Sequence, residues 1–230
     1  MTEVNYLESL NPLQYESVCS TEGPNLIIAG AGTGKTKVLT TRVAHIIDNN
    51  LAFPSQILCV TFTNKAAREM SERVQKLVSQ NMEKMPWMGT FHSIGAKIIR
   101  NHAEVIGLKQ SFTILDKDDQ LSLIKQIIKA ENLDQSQFSP KLIQSKIDHW
   151  KNKALNPNDI KSESLDNLVD EKSLSIYKIY QARLFEINCL DFGDLLLQCI
   201  NLFKVTDIHK RYSNNFKYIH VDEYQDTNAA

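Results

Sequence analysis

Eight residues, Ala29-Gly30-Ala31-Gly32-Thr33-Gly34-Lys35-Thr36, constrain this chain more than any other stretch. A short apolar run, Leu26-Ile27-Ile28, precedes them. Behind them Leu39, Val43, Ile46 and Ile47 recur at helical spacing. The order predicts strand, glycine-rich turn and helix, which is the setting in which a backbone wraps an anion. Glycines allow the chain to approach phosphate oxygens closely, with N–H groups turned inward. The following helix points its positive end at the same anion. Lys35 adds a mobile charge for the outer phosphates, and the Thr36 hydroxyl is a ligand for Mg²⁺. Ala29 stands where the usual pattern G-x-x-x-x-G-K-[ST] has glycine, a mild change that leaves Gly34-Lys35-Thr36 intact. A glycine-rich loop that merely ends a strand is the plainer alternative, and the strand–helix context weighs against it.

The remaining composition sets limits. With 230 residues there is room for one large domain or two small ones. The formal net charge of −1 means that any nucleic-acid contact comes from a local patch. Cys19, Cys59, Cys189 and Cys199 form no C-x-x-C pair, so they read as reduced residues of a cytoplasmic protein. The first residues lack the basic and apolar regions of a secretory signal, and no apolar run approaches membrane-spanning length.

Taken in order, the chain opens with Leu10-Asn11-Pro12-Leu13-Gln14, where Pro12 suits the first turn of a helix. The Gln14 carboxamide offers the donor and acceptor that an adenine N6/N7 edge requires, although a solvated glutamine is the plainer reading of this segment alone. A second strand is predicted at Ile57–Val60, running into Thr61-Phe62-Thr63-Asn64 and a helix marked by Ala66, Met70, Val74, Leu77 and Val78. That is a second β–turn–α unit, as a parallel sheet requires. Hydroxyls and an amide at a strand end suit a phosphate, and Phe62 suits stacking on an unpaired base. The alternatives are that Phe62 is core and Asn64 a helix cap. A third strand is predicted near Trp87-Met88, before Gly89-Thr90-Phe91-His92-Ser93; His92 has no partner at metal-ligand spacing.

From about Ile99 to Leu190 helical patterns dominate: Leu121, Ile124, Ile127, Ile128; Leu142, Ile143, Ile147; Ile176, Ile179, Leu184, Ile187. The stretch reads as an all-helical insertion. Lys141, Lys146, Lys151, Lys153 and Lys161 surround Trp150, a basic run that is more often a solvated face than a nucleic-acid contact. Asp191-Phe192-Gly193-Asp194 opens another helix with acidic residues at its positive end. Tyr218–Val221 reads as a strand ending in Asp222-Glu223-Tyr224-Gln225-Asp226-Thr227-Asn228. A carboxylate pair there complements a phosphate loop: Asp222 for Mg²⁺ opposite Thr36, Glu223 to orient or deprotonate water.

Together these segments resemble the UvrD/Rep-type superfamily 1 DNA helicases. Leu10–Gln14 resembles the family's adenine-reading motif, and Ala29–Thr36 its phosphate loop, alanine included. Thr61–Met70 and Gly89–Ser93 are similar to motifs Ia and Ib, Asp191–Leu196 to the re-entry segment, and Asp222–Asn228 to motif II. The resemblance implies a RecA-like α/β domain, residues 1–98 and 191–230, with a parallel sheet flanked by helices and a helical subdomain, 99–190, inserted. It implies ATP and Mg²⁺ as cofactors and single-stranded DNA or DNA junctions as partners, in replication or repair. Glu223, Lys35 and Gln225 would serve catalysis, with Gln225 sensing the γ-phosphate; Thr61, Phe62, Thr63, Asn64, Thr90 and His92 would contact DNA.

Nothing after motif II resembles the family's later motifs, so the resemblance leaves the second motor domain and its arginines to a partner or to another part of a longer protein. It places the motif III strand between those of the phosphate loop and motif II, so Leu26–Ala29 and Tyr218–Val221 are expected either to pair directly or to stand as unpaired edges of an incomplete sheet, giving low stability or aggregation, with the segment after about Phe216 the least protected. The 230 residues alone are expected not to unwind DNA and to hydrolyse ATP barely above background. A nucleotide- and DNA-binding module without helicase activity is the second reading, and a phosphoryl-transfer kinase a third, which motifs Ia and Ib disfavour.

Overall fold

The computed structural model describes residues 6–30, 32–78, 85–161, 165 and 167–227. The chain divides into two compact units: residues up to Ile94 with Lys210–Asp226, and Gly95–His209.

The first unit is built on a parallel three-stranded sheet. Strand β1 (Ile57–Thr61) lies between β2 (Met88–Thr90) and β5 (Tyr218–Val221). Register places Cys59 beside Met88 on one side and beside His220 on the other. The chain enters β1 through a short 3-10 turn, Pro54–Gln56, and β-branched and aliphatic residues carry it on. Helix α1 (Pro12–Cys19) has Pro12 at its first turn and a reciprocal cap between Asn11 and Gln14. Helices α2 (Lys35–Asp48) and α3 (Asn64–Leu77) bury their apolar faces against β1: Val43, Ala44 and Ile46 from α2, and Met70 and Val74 from α3, join Ile57 and Cys59. The connection from β1 through α3 to β2 is therefore that of a parallel α/β layer, with strand ends and helix starts on one rim.

One predicted strand is missing. Leu26–Ile28 lies outside the sheet, and no backbone hydrogen bond joins it to another described segment. Leu26 is 74% exposed and Ile28 89%. A strand persists only where a neighbour satisfies its N–H and C=O groups. Among the described strands β5 has β1 on one side only, and its Ile219 is 62% exposed. Of the two arrangements expected for these segments, the unpaired one is found; β5 itself is paired with β1 along its length and so is not the weaker of the two. The amides of Leu26–Ile28 are expected to exchange with solvent at least a hundredfold faster than that of Asp222, which donates to the Val60 carbonyl at 3.0 Å. Residue-resolved hydrogen exchange checks this, and equal protection would contradict the unpaired arrangement.

Helix α4 (Phe91–Asn101) follows β2, and the second unit holds α5 (Lys117–Ala130), α6 (Pro140–Asn152), α7 (Leu168–Glu186) and α8 (Phe192–Phe203). It is not all-helical: β3 (Thr113–Leu115) and β4 (Cys189–Asp191) form a parallel pair, Thr113 beside Cys189. Three-residue strands carry too few alternating positions to leave a periodic signal. Ile124, Ile127, Ile128, Ile143, Ile147 and Leu184 are core, as their spacing predicts, whereas Leu142 and Ile187 face outward. Tyr177 and Tyr180 fill the centre, and Trp150 stacks on Tyr177 with ring centroids 5.9 Å apart.

The basic run around Trp150 is only partly a surface. Lys151 is fully buried, its Nζ 2.7 Å from Asp191 Oδ2 and 2.8 Å from Asp194 Oδ1. Lys146 pairs with Asp170. Lys141, Lys153 and Lys161 remain exposed. Asp191 and Asp194 do open α8, as a reciprocal cap, but the same carboxylates face inward onto Lys151. Gly193 is required there, since a Cβ would lie 2.9 Å from Lys151 Cδ.

Candidate functional site

The glycine-rich loop runs into α2 through Gly34, whose φ of 91° only glycine adopts without strain. No side chain caps α2, so its first-turn N–H groups are left for an outside acceptor. Inside the loop Thr33 folds back, its hydroxyl donating to the Gly30 carbonyl at 2.8 Å. Gln14 reaches the same loop, its Nε2 donating to the Thr33 carbonyl at 3.0 Å. Ala31 lies outside the described residues, as does Asn228.

At the end of β5 stand two carboxylates, Asp222 and Glu223. Lys35 Nζ is 3.7 Å from Glu223 Oε1, with both side chains about one-third exposed. Glu223 also accepts from the Gln225 carboxamide. Its φ of 51° puts a non-glycine residue in the left-handed region, a conformation that costs on the order of 1 kcal/mol or more. Asp222 is buried and accepts a hydrogen bond from the Thr61 hydroxyl at 3.4 Å. Burial, and then the charge of Glu223, push its carboxyl above the usual range. His220, one pleat earlier, offers no compensating charge, because burial and then Arg42 lower its pKa to about 4. Buried carboxylate and hydroxyl oxygens are hard donors, and Mg²⁺ takes one or two such protein ligands with the rest from phosphate and water. The Asp222 carboxylate fits that ion. Among the described residues no cluster of three or more side chains forms an all-protein metal cage.

The residues predicted for DNA divide. Thr61 and Thr90 are buried: Thr61 serves Asp222, and Thr90 accepts from the Ser93 amide at 3.1 Å while Ser93 Oγ accepts from the Thr90 amide. Thr63, not Asn64, is the α3 cap, accepting from the Ala66 amide, which leaves Asn64 as the first helical residue. Phe62 is 39% exposed and pairs with Phe91, centroids 5.4 Å apart, so an aromatic shelf stands at the strand ends. Phe91 was missed by sequence reasoning, although it sits next to His92 in the segment singled out. His92 is half-buried, and burial lowers its pKa.

Lys35, Thr61, Asp222 and Glu223 thus converge at the C-terminal rim of the sheet, where open α/β sheets bind ligands. Residues 10–230 match the UvrD/REP helicase N-terminal domain family. The chain is 47% identical over 225 residues to the ATP-dependent DNA helicase PcrA of Staphylococcus aureus, 97% of this chain but 30% of that protein. It is 46% identical to the PcrA of Leuconostoc citreum, over 96% of this chain and 30% of that protein. It is 45% identical to the PcrA of Staphylococcus epidermidis, over 97% of this chain and 31% of that protein. The chain belongs to the UvrD/REP helicase family and corresponds to its N-terminal domain.

Proposed function

We propose that this chain is the ATP- and single-strand-binding part of an ATP-dependent DNA helicase, working in the cytoplasm on single strands and DNA junctions. The observation that carries the reading is the convergence of Lys35 with Glu223, and of Thr61 with Asp222, from segments some 160 to 190 residues apart. Residues Ala29–Thr36 would cradle the triphosphate, and Thr36 with Asp222 would hold Mg²⁺. When bound, the ion neutralises charge on the phosphate oxygens. Without phosphate Lys35 rests on Glu223; phosphate oxygens compete for the ammonium and free Glu223 to orient or deprotonate the attacking water. Gln225, already bonded to Glu223, is placed to report that exchange. Gln14 would read the adenine edge.

Phe62 and Phe91 would stack an unpaired base beside Thr63 and Asn64. The whole relatives are about three times longer than this chain, and the second motor domain and its arginines would complete the site from outside these residues. In a longer protein that also carries the second motor domain, Glu223→Gln is expected to keep ATP affinity within about twofold and to lower DNA-stimulated turnover at least about a hundredfold. Phe62→Ala is expected to weaken single-strand binding roughly five- to a hundredfold and to leave ATP binding unchanged. Turnover assays and fluorescence anisotropy check the two. Unimpaired turnover in Glu223→Gln would remove the catalytic assignment, and absence of turnover in the unaltered protein would favour the reading as a binding module. No helix among the described residues is long and apolar enough to cross a membrane.

A further inference from the structure

Gln14 makes two contacts that reading a base does not require. Its Oε1 accepts from the Asn11 amide at 3.1 Å, which fixes the side chain over the start of α1. Its Nε2 donates to the Thr33 carbonyl at 3.0 Å. The approach is close: a Cβ on Gly34 would lie 3.1 Å from that nitrogen. A carboxamide has two N–H donors and two acceptor sites, so one of each remains after these bonds. The side chain that would meet a base therefore already holds the loop.

The Thr33–Gly34 peptide needs such a hold. Its orientation turns on the Thr33 ψ and the Gly34 φ, and Gly34 stands at φ of 91°. Glycine crosses φ space with little steric resistance, so the Gly34 side does not by itself prevent the peptide from turning over. A trans peptide is planar, with C=O and N–H on opposite sides. Fixing the Thr33 carbonyl on Gln14 thus fixes the Gly34 N–H pointing away from Gln14. The base of the link is firm: Lys37 Nζ donates to the Ser9 carbonyl at 2.6 Å, and Arg42 reaches the Ser17 and Thr21 carbonyls at 2.5 and 3.2 Å. The segment Ser9–Thr21, which contains α1, is thus fastened to α2 at both its ends and to the loop through Gln14.

We propose that Gln14 is a positioning residue for the phosphate loop, holding the Thr33–Gly34 peptide in its anion-binding orientation whether or not a base is present. The inference rests on the nucleotide reading above and gives Gln14 a second role within it. A ligand with phosphates and no base isolates that role. Binding of Mg²⁺–tripolyphosphate and of Mg²⁺–ATP is measured by calorimetry on the full chain and on Gln14→Met and Asn11→Ala. Gln14→Met keeps the bulk and removes the donor to Thr33. Asn11→Ala removes the Asn11 side-chain cap from α1 and leaves the Gln14–Thr33 bond. Gln14→Met is expected to weaken tripolyphosphate roughly five- to tenfold, the loss of one hydrogen bond, and ATP by at least as much. Asn11→Ala is expected to leave tripolyphosphate within twofold, which a role confined to capping α1 would not allow. Tripolyphosphate unchanged in Gln14→Met while ATP weakens would overturn the inference and leave Gln14 a base reader only. Binding of neither ligand by the unaltered chain would overturn the nucleotide reading and the inference together.

Discussion

Lys151→Met is expected to destabilise the second unit by about 3–5 kcal/mol, the usual result of leaving a buried charge without its partner. Two carboxylates, Asp191 and Asp194, face the Lys151 ammonium inside the unit, all three almost fully buried. Burial alone would lower the pKa of Lys151, but Asp194 and Asp191 outweigh it and raise it. Tyr180 OH donates to Asp191 Oδ2 at 2.8 Å, Gln181 to Asp194 Oδ1 at 3.0 Å, and Gln120 reaches Asp191 Oδ2 at 3.4 Å. The network joins α5, α6, α7 and the start of α8, so its loss is felt by four helices. In a Trp87→Phe background the fluorescence of Trp150, stacked on Tyr177, reports urea unfolding of this unit.

The loss should depend on pH in a definite direction. Burial, and then Asp191, push the Asp194 carboxyl up from 3.8 to about 6. A carboxyl whose pKa is raised by folding adds stability at low pH, and that contribution disappears as pH rises through 6. Removing the lysine charge raises the carboxyl further, so the deficit of Lys151→Met should be smaller at pH 5 than at pH 8. Asp194→Asn added to Lys151→Met should restore part of the stability at pH 8, since it removes one of the unpaired charges. A deficit below about 1 kcal/mol that does not change with pH would mean that water reaches the network.

Lys35→Ala is expected to weaken Mg²⁺–ATP binding by roughly ten- to a hundredfold, the worth of a hydrogen bond to a charged group. The backbone of the loop and the α2 N-terminus are untouched by the change, so some affinity remains. The fold should be unaffected. The Lys35–Glu223 pair is about one-third exposed at 3.7 Å, and such pairs contribute little to stability. Thermal unfolding should therefore be superimposable on that of the unaltered chain while calorimetry shows the loss. Unchanged ATP affinity would remove the phosphate-loop assignment.

Much of the candidate site is written in local sequence. Gly34-Lys35-Thr36 needs only its glycine and its helix start, and Pro12 with Asn11 and Gln14 builds its cap from adjacent residues. Ile57–Thr61 and Tyr218–Val221 are apolar runs bounded by polar strand ends, and both are strands where the pattern puts them. Periodicity likewise marked Ile124, Ile127, Ile143 and Ile147 as core. Tertiary structure decided the rest. Whether Leu26–Ile28 becomes a strand depends on a neighbouring edge, which no local pattern encodes. Thr61 looked like a surface hydroxyl until its strand placed it on Asp222, a residue 161 positions away. Lys151 carries the same charge as Lys153, and composition cannot tell a solvated lysine from one enclosed by two carboxylates. Its burial comes from the packing of α6 on α8, and long-range pairing of opposite charges has no period by which a sequence could announce it.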